Sequence, residues 1–465
     1  MPVRFRTPAR STAALVLLFA LSLPAVTTRF YASDEIQFFA WLRSVVFDRD
    51  ADFDNEYRYF YDTGRIRDEG FRITFLEEIN EAGRRRNFTP IGTALLWAPF
   101  FAIGHVAALA TGVPADGFSQ PYISAVTYGS ATYGFLALIL THAIVRRVVG
   151  GAAWIPTVVV WIGTPLVFYM YVAPGFSHAC SAFAVSLFLW IWLKTRTSWT
   201  PAGVACLGAS AALMAMVREQ DVFFAAGPAI DALRWSVSGA ASVQATVRSI
   251  ATGVTAAALS YLPQLAAYQA LNGHPGPGRE VARKMTWSSP HALEVLWSPA
   301  HGLFFWTPLA LIAIVGLVWL AAKRPRDAAP DASWIALVAI LMVALQTYVS
   351  GSVESWTVAG SFGQRRFVAL TPILALGLAV WSEKARAAAR VTPRVLVTGL
   401  MALLVWWNIG LMAQFGLHLM DRQRLSLGRN ARTTFIDLPL AMPSLVVRYF
   451  TDRASFYRQP RQDRE

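Results

Sequence analysis

Two adjacent carboxylates, Asp34 and Glu35, follow the first apolar stretch of the sequence and precede the apolar run IQFFAWL. A carboxylate at a membrane boundary, walled off from bulk water, can act as a general base that accepts a proton from an attacking hydroxyl. The same pair also suits the start of a helix, because Ser33-Asp34-Glu35 combines an N-cap residue with an acidic first turn. Spacing alone favours the helix cap over the catalytic base.

Arg218 lies in the polar sequence Arg-Glu-Gln-Asp between two apolar stretches. An ionisable residue at such a position is costly unless it is paired or functional, and a planar guanidinium suits a phosphate. The alternative is a local ion pair with Glu219 or Asp221. His178, in the short turn PGFSH, can bind a metal, hydrogen-bond a phosphate or transfer a proton; its alternative is an interfacial histidine satisfied by the backbone.

A second cationic motif, Ser361-Phe-Gly-Gln-Arg-Arg, follows Trp356 in another polar loop. Its two arginines, Arg365 and Arg366, stand beside a flexible glycine and aromatic surface, which together can hold a phosphate and the face of a sugar. Trp356 and Gln364 are the expected sugar or acceptor contacts. The alternative is that the arginines extend to the membrane interface beside an aromatic belt.

No cofactor is expected, and a divalent metal site to which Asp34 contributes is the disfavoured alternative. The alternating carboxylates of Asp48–Asp54 invite a calcium-loop interpretation, but the positions that require Gly and Glu hold Phe53 and Tyr59, so a solvated loop that caps the next element is favoured. The motifs of nucleotide loops, zinc proteases, serine hydrolases and dinucleotide folds are absent, which disfavours an ATP-driven pump or a soluble-type hydrolase. Cys180 and Cys206 lie in apolar stretches, without a CxxC motif.

The elements that position these residues are membrane helices. Of 465 residues, 55% are apolar and 15% charged, compared with roughly 25% charged in a soluble domain. The net charge is +13, but the charged residues lie between long apolar runs, so this charge does not indicate a nucleic-acid partner. Eleven spans are predicted, near residues 11–28, 121–145, 152–172, 177–193, 200–217, 221–233, 249–270, 302–322, 333–350, 366–382 and 395–416.

One further apolar stretch, 88–110, is assigned to the membrane surface, because this choice leaves most Lys and Arg of the short loops on the cytoplasmic side, as the positive-inside rule expects. Pro90 and Pro99 should also break the stretch into juxtamembrane helices. The N-terminus is then cytoplasmic, and the loops 29–120, 271–301 and 351–365 are on the outer side, together with a basic C-terminal tail, 417–465.

Taken together, these motifs resemble those of the GT-C superfamily of integral-membrane glycosyltransferases, which includes protein O-mannosyltransferases and the lipid A aminoarabinose transferase. In that family an acidic pair opens the first outer loop, as Asp34 and Glu35 do in YASDEIQFF, and the Asp is taken as the catalytic base. MVREQDVFF resembles the segment whose cation binds the phosphate of the lipid donor, a position that Arg218 holds. Asn87-Phe-Thr-Pro-Ile-Gly92 loosely resembles a proline-containing family segment, without its Lys and with one Pro fewer. Where relatives place a second acid, this chain has His178, and this missing acid disfavours a metal site at Asp34.

The resemblance implies that residues 1–416 form a GT-C-like module in the plasma membrane, with its active site on the periplasmic or extracellular face. It implies an inverting glycosyltransferase that moves a sugar from a polyprenyl-phosphate donor to a hydroxyl of a lipid, glycan or protein. Asp34 and Glu35 are the catalytic candidates, and Arg218, His178, Arg365 and Arg366 are the candidates for binding the donor phosphate. The alternatives are a secondary transporter or lipid flippase for a cell-envelope precursor, and a non-enzymatic scaffold; the absence of an internal repeat disfavours transport.

Overall fold

Helices make up the regular structure of the computed structural model, which describes residues 8–151, 153–238, 242–325, 327–358, 360–452 and 455–456. Within this part of the chain there is no β-strand, and the bridges Ile79–Arg85 and Met285–Val353 are isolated. The all-α prediction is confirmed. Arg4 and Arg6, which support a cytoplasmic N-terminus, lie outside the described residues.

The described residues of the first half of the chain form ten α-helices. They are α1 (Pro8–Ser22), α2 (Ser33–Arg43), α3 (Asp54–Asp62), α4 (Glu69–Phe71), α5 (Gly92–Thr111), α6 (Gln120–Val148), α7 (Trp154–Ile162), α8 (Leu166–Tyr171), α9 (His178–Thr195) and α10 (Pro201–Val217). A 3-10 turn covers Leu23–Ala25, and π-helical turns cover Ser44–Asp48 and Arg72–Glu77.

In the second half, the residues that the structure describes form eleven more. They are α11 (Ala226–Val237), α12 (Val243–Asn272), α13 (Arg279–Arg283), α14 (Ala292–Trp297), α15 (Leu303–Trp306), α16 (Pro308–Ala322), α17 (Ala332–Gly351), α18 (Thr371–Ala387), α19 (Val391–Gly416), α20 (Leu427–Arg432) and α21 (Leu438–Thr451). 3-10 turns cover Glu219–Ala225 and Arg365–Leu370, and a π-helical turn covers Thr433–Asp437.

Among the described residues, seven helices are long and apolar enough to cross a bilayer: α5, α6, α9, α12, α17, α18 with the turn before it, and α19. Three shorter apolar helices, Arg10–Ala25, α10 and α16, accompany them. The chain is therefore a multi-pass membrane protein. The number of eleven spans and the orientation of the bundle remain predictions.

Two of the predicted spans are not continuous helices. The span predicted at 152–172 is divided into α7 and α8 by Gly163, Thr164 and Pro165, and the span at 302–322 is divided between α15 and α16 before Pro308. A proline has no N–H for the helix and disfavours the helical conformation in the residue before it, which explains both interruptions. The short span predicted at 221–233 is a 3-10 turn that continues into α11.

The expectation that Pro99 breaks the 88–110 stretch is wrong. α5 runs through Pro99 as one helix of 20 residues, and Pro90 lies just before its start. A proline inside a helix removes one backbone hydrogen bond, and this loss is tolerated where neighbouring helices pack closely. α5 packs closely on α6, since a Cβ at Gly104 would lie 2.9 Å from the Cα of Tyr122.

Small residues also allow other helices to approach each other. At the crossing of α16 and α18, a Cβ at Gly377 would lie 1.9 Å from the carbonyl oxygen of Ala313. At the crossing of α10 and α12, a Cβ at Gly208 would lie 2.1 Å from the carbonyl oxygen of Gly253. Membrane helices associate through such close backbone contact, because no hydrophobic effect drives them together in lipid.

The first predicted outer loop, 29–120, is a folded unit with an aromatic core. Phe39 contacts Phe60 with ring centroids 5.8 Å apart, Trp41 contacts Phe53 at 4.9 Å, and Tyr57 contacts Phe75 at 5.3 Å. These edge-on contacts bury α2 from Glu35 to Leu42. The predicted tail likewise contains α20 and α21, and Phe435 between them stacks on Trp407 of α19 at 6.2 Å.

Candidate active site

The two neighbouring carboxylates at the start of α2 have different surroundings. The Oε2 atom of Glu35 accepts hydrogen bonds from the backbone amides of Tyr31 (2.8 Å) and Ala32 (3.1 Å), so this side chain caps the helix. Asp34 is 35% exposed and accepts a hydrogen bond of 2.7 Å from Arg365 Nη1 at its Oδ2 atom. The cap and the reachable carboxylate are therefore two adjacent residues.

Glu35 does not face the open side of the site, although its type made it a catalytic candidate. It is fully buried, and its Oε1 atom has no hydrogen-bond partner among the described residues. Burial raises the pKa of Glu35 to about 8, against the lowering effect of the two backbone amides. Glu35 is consequently a structural carboxyl group, and Asp34 is the acid that a substrate can reach.

The NFTPIG segment holds α2 in place. The Asn87 side chain donates to the carbonyl oxygen of Gln37 (3.0 Å), and the Gln37 side chain accepts from the backbone amide of Phe88 (2.8 Å). The Trp41 indole donates to the carbonyl oxygen of Thr89 (2.9 Å). These three hydrogen bonds fix the helix whose first turn carries Asp34, which gives this segment a positioning role.

Arg218 ends α10 and extends its guanidinium towards the start of α9. Its Nη1 atom lies 3.3 Å from both Ser177 Oγ and His178 Nδ1, and its Nη2 atom lies 3.3 Å from Gln220 Oε1. Its Nε atom is buried and has no partner among the described residues. Within that part of the chain Arg218 makes no salt bridge with Glu219 or Asp221, and Asp221 accepts from Ser181 Oγ at 2.6 Å. The charges of Arg218 and Asp221 still act on each other, so the local ion pair stays an alternative.

His178 is 1% exposed, and its hydrogen bonds determine its tautomer. Because a guanidinium only donates, Nδ1 of His178 accepts from Arg218, and the proton of the neutral imidazole is on Nε2. That Nε2 atom has no partner among the described residues. The ring contacts Tyr169 edge-on, with centroids 4.4 Å apart, and stacks on Phe176 at 5.8 Å.

A continuous series of contacts joins four of the candidate residues. Arg365 bonds Asp34 and lies 5.4 Å over the ring of Phe176, which stacks on His178, which in turn bonds Arg218. A carboxylate, two guanidinium groups and an unpartnered imidazole N–H thus converge from α2, α9, α10 and the turn before α18. The positive charge is in excess, which suits an anionic ligand.

Three further candidates lie beside this series: Arg366, Gln364 and Trp356. The side chains of Arg366 and Gln364 hydrogen-bond to residues of their own loop. The buried guanidinium of Arg366 donates to the Ser355 carbonyl oxygen (3.0 Å) and to Ser355 Oγ (3.1 Å). The Gln364 amide donates to the carbonyl oxygen of Trp356 (3.0 Å), and its Oε1 atom is buried without a described partner. The indole of Trp356 stacks on His291 at 5.3 Å. These contacts shape the loop that precedes Arg365.

Sequence reasoning missed three residues that organise the site. Tyr169, in an apolar run without any polar signal, donates from its hydroxyl to the carbonyl oxygen of Phe362 (3.1 Å) and packs on His178. Phe176 belongs to the PGFSH motif, but its stacking position is not visible in the spacing. His301 is fully buried, and its Nε2 atom donates to the carbonyl oxygen of Ser361 (2.9 Å). Burial lowers the pKa of His301 to about 4, so it remains neutral while it holds this loop.

The acidic run Asp48–Asp54 forms local hydrogen bonds, as predicted for a capping loop. Ser44 Oγ donates to Asp50 Oδ1 (2.6 Å), and Asp52 Oδ1 accepts from the backbone amide of Asp54 (3.3 Å) at the start of α3. Among the described residues, no group of three His, Cys, Asp or Glu side chains could hold a metal ion.

Comparison with known proteins finds similarity only among solved structures. No protein-family model matches the chain, and no curated protein matches it. The structure is similar to ArnT from Cupriavidus metallidurans bound to undecaprenyl phosphate, at 13% identity and a TM-score of 0.49, over 97% of this chain and 79% of ArnT. It is also similar to the archaeal oligosaccharyltransferase AglB from Archaeoglobus fulgidus, in complex with an inhibitory peptide and a dolichol-phosphate. That match has 11% identity and a TM-score of 0.46, over 98% of this chain and 61% of AglB.

Proposed function

We propose that this protein is an inverting glycosyltransferase that transfers a sugar from a polyprenyl-phosphate donor to a hydroxyl group at the outer face of the membrane. The observation that carries the proposal is the contact series from Asp34 through Arg365, Phe176 and His178 to Arg218. A reachable carboxylate at one end and phosphate-binding groups at the other are the two components that such a transfer needs.

The donor phosphate binds beside the hydrogen-bonded pair of Arg218 and His178. The guanidinium of Arg218 makes charge-assisted hydrogen bonds, and the free Nε2–H of His178 supplies another donor from a neutral group. Arg365, held by Asp34, adds positive charge from the other side of Phe176. Arg366 contributes charge from its buried position on Ser355.

The transfer is a single displacement at the anomeric carbon. Asp34 takes the proton of the acceptor hydroxyl while the hydroxyl oxygen forms its bond to that carbon, and the bond from the carbon to the phosphate oxygen breaks. The electron pair of this bond leaves with the polyprenyl phosphate, whose developing charge is stabilised by Arg218 and His178. No separate acid is required for the leaving group, and the configuration of the anomeric carbon is inverted.

Arg365 positions the base. Its hydrogen bond to Oδ2 of Asp34 holds the carboxylate in place and leaves Oδ1 for the acceptor hydroxyl. Trp356 and Gln364, in the loop before Arg365, offer an aromatic face and an amide oxygen to the sugar or the acceptor.

The donor class is tested by release of free polyprenyl phosphate from purified protein in detergent, across a panel of polyprenyl-phosphate sugars. We expect release that depends on one sugar. Donor binding without release from any member of the panel, with each acceptor class supplied, contradicts the transferase and favours the transporter. As a folding control, Asp62→Asn changes an exposed carboxylate of α3 and should release polyprenyl phosphate at the rate of the unmodified protein.

A further inference from the structure

After α19, the chain folds back against that helix. The side-chain amide of Gln414 donates to Thr434 Oγ1 (2.8 Å), and its Oε1 atom accepts from the amide of Asn430 (2.9 Å). All three side chains are buried. A Cβ at Gly410 would lie 2.4 Å from Cγ2 of Thr434, so the two segments touch directly. This part of the predicted tail is therefore fixed to α19 and does not extend into solvent.

Two tryptophans of α19 hold the turn from which α21 starts. Trp406 Nε1 donates to the carbonyl oxygen of Thr434 (3.1 Å). Trp407 stacks on Phe435, with ring centroids 6.2 Å apart. Tryptophan is enriched where membrane helices reach the boundary between lipid chains and water, which makes this level of α19 a candidate for the interface.

The charges beside this turn fit the head groups of a bilayer and not its hydrocarbon core. Arg432 and Asp437 form an ion pair of 3.9 Å, and their side chains are 76% and 49% exposed. Within the core, charged side chains are costly and face the interior of the protein. α21 itself has 14 residues and spans about 21 Å, less than the roughly 30 Å of a hydrocarbon core. The position and the length of α21 therefore favour a helix that lies along the interface.

An exposed apolar stripe runs along α21. Leu440, Val447 and Phe450 are separated by about two turns and by about one turn, so they share one side of the helix. Their exposed fractions are 79%, 61% and 82%, so the described part of the chain leaves this stripe uncovered. Large apolar side chains gain free energy when they are removed from water, which favours an apolar partner for the stripe.

The other two sides of α21 differ from the stripe. One side lines a cavity that α1, α8 and α19 also border, through Met442, Leu445 and Tyr449. The remaining side is polar and exposed, and it carries Ser444 and Arg448. The cavity wall, the polar surface and the apolar stripe thus occupy three separate sectors of the helix. A helix that separates apolar from polar surface along its length in this way is suited to lie in the plane of the membrane interface.

We propose that α21 is an interfacial helix that inserts Leu440, Val447 and Phe450 among the acyl chains of the phospholipid leaflet at the C-terminal end of α19. Its polar side, with Ser444 and Arg448, faces the head groups and water. The partner of this surface is the bilayer, because the stripe is apolar and the adjoining polar side carries a cation that attracts lipid phosphates. The C-terminal segment is then a membrane anchor beside the cavity, and this inference does not depend on the proposed function.

Spin labels measure the depth of each side of α21. The full chain, with Cys206→Ser as background because Cys180 is buried, receives one nitroxide at a time at Leu440→Cys, Val447→Cys or Ser444→Cys. In phosphatidylcholine nanodiscs, collisions with oxygen, which concentrates in lipid, are compared with collisions with a nickel chelate, which stays in water. We expect Leu440→Cys and Val447→Cys to lie roughly 5–10 Å below the phosphate plane, and Ser444→Cys to lie at or above it.

Two reference positions fix the scale. Thr63→Cys, in an exposed turn after α3, reports water, and Val254→Cys, 63% exposed on the candidate span α12, reports lipid. Nickel accessibility at Leu440→Cys and Val447→Cys equal to that of Thr63→Cys would place α21 in water and overturn the proposal. Low accessibility to both oxygen and nickel at these two positions would mean that protein, such as a second copy of the chain, covers the stripe, which also overturns it.

A charge on each side of α21 distinguishes insertion from mere proximity to the bilayer. Val447→Glu places a carboxylate in the stripe and should move the nitroxide at Leu440→Cys by several ångströms towards water. Ser444→Glu adds the same charge to the polar side and should leave that depth unchanged. Equal depths in the two variants would contradict insertion. Because none of these measurements requires turnover, a protein without donor release leaves this test intact, and a failed test leaves the proposed transferase intact.

Discussion

At the scale of single residues, the site depends on the different surroundings of two neighbouring acids. Glu35 is buried and caps α2, while Asp34 remains reachable and bonds Arg365. Arg218 and His178 complete the arrangement through a hydrogen bond that leaves the His178 Nε2–H free. The proposed base and the proposed phosphate-binding pair therefore lie within one series of contacts.

Arg218→Lys tests the phosphate-binding role. A lysine keeps the charge but loses the planar pair of donors, and charge-assisted hydrogen bonds contribute about 1.5–3 kcal/mol each. We expect the KM for the donor to rise about tenfold or more, measured by polyprenyl phosphate release at varied donor concentration. Arg234→Lys, a matched change on α11, should leave the KM unaltered. Unchanged donor kinetics in Arg218→Lys would exclude Arg218 from the site.

Glu35 predicts a pH dependence of stability. Its folded-state pKa of about 8 lies above the reference value of 4.5. Between these values the folded chain binds a proton that the unfolded chain has released, so the free energy of unfolding falls as the pH rises. Glu35→Gln keeps an oxygen for the two backbone amides and cannot titrate. From pH 5 to about 8, the free energy of unfolding should therefore fall less in Glu35→Gln than in the unmodified protein. Thermal unfolding measures this difference, which we expect to be on the order of a few kcal/mol.

The test of Glu35 is the difference in the free energy of unfolding between the unmodified protein and Glu35→Gln. Burial also raises the pKa of Glu56, to about 7, so part of the decline in stability persists in Glu35→Gln. Parallel stability curves for the two proteins would contradict the assignment of Glu35 as a buried, protonated cap.

The residue types of the site were visible in the sequence, but their pairing was not. The cap and the base were alternatives for one Asp-Glu pair, because spacing does not show which side chain turns inward. The contact of Arg365 with Asp34 joins positions 331 residues apart, which no local pattern predicts. Tyr169 was missed since an apolar run looks the same whether its rings face lipid or a site.

At the scale of helices, close crossings hold the elements that carry the site. α16 and α18 meet where a Cβ at Gly377 would lie 1.9 Å from the Ala313 carbonyl oxygen. Gly377→Ala should therefore lower the free energy of unfolding by about 1–3 kcal/mol through overpacking. Gly399→Ala in α19 is the matched control, because a Cβ there meets nothing within 4 Å, and it should be neutral or slightly stabilising. Thermal unfolding in detergent measures both, and equal effects would contradict the crossing.

The sequence predicted helix boundaries correctly where a proline lies in the first turn of a helix. The predictions were wrong where a proline lies inside an apolar stretch. α10 begins at Pro201 after Thr200, whose hydroxyl accepts from the Gly203 amide at 3.3 Å, as capping rules predict. Pro165 divides a predicted span, whereas Pro99 does not interrupt α5. α5 lies closely against α6, and a sequence does not show which prolines a helix tolerates.

At the scale of the whole molecule, the orientation in the membrane is open to a direct test. With Cys206→Ser as background, because Cys180 is buried, single cysteines at Thr63 and Ala389 report the two sides. A membrane-impermeant maleimide on intact cells should label Thr63→Cys and spare Ala389→Cys, which the predicted topology places in the cytoplasm. Labelling at both positions would mean that α5 crosses the bilayer and that every later loop is inverted.

The central claim is that Asp34 is the base of a sugar transfer from a lipid phosphate. The most direct measurement is the turnover number of Asp34→Asn with the identified donor, together with the dissociation constant of that donor. General base catalysis typically contributes about 10²–10⁴-fold, so we predict a fall in kcat of that size with donor affinity nearly unchanged. Turnover at the rate of the unmodified protein would contradict the claim.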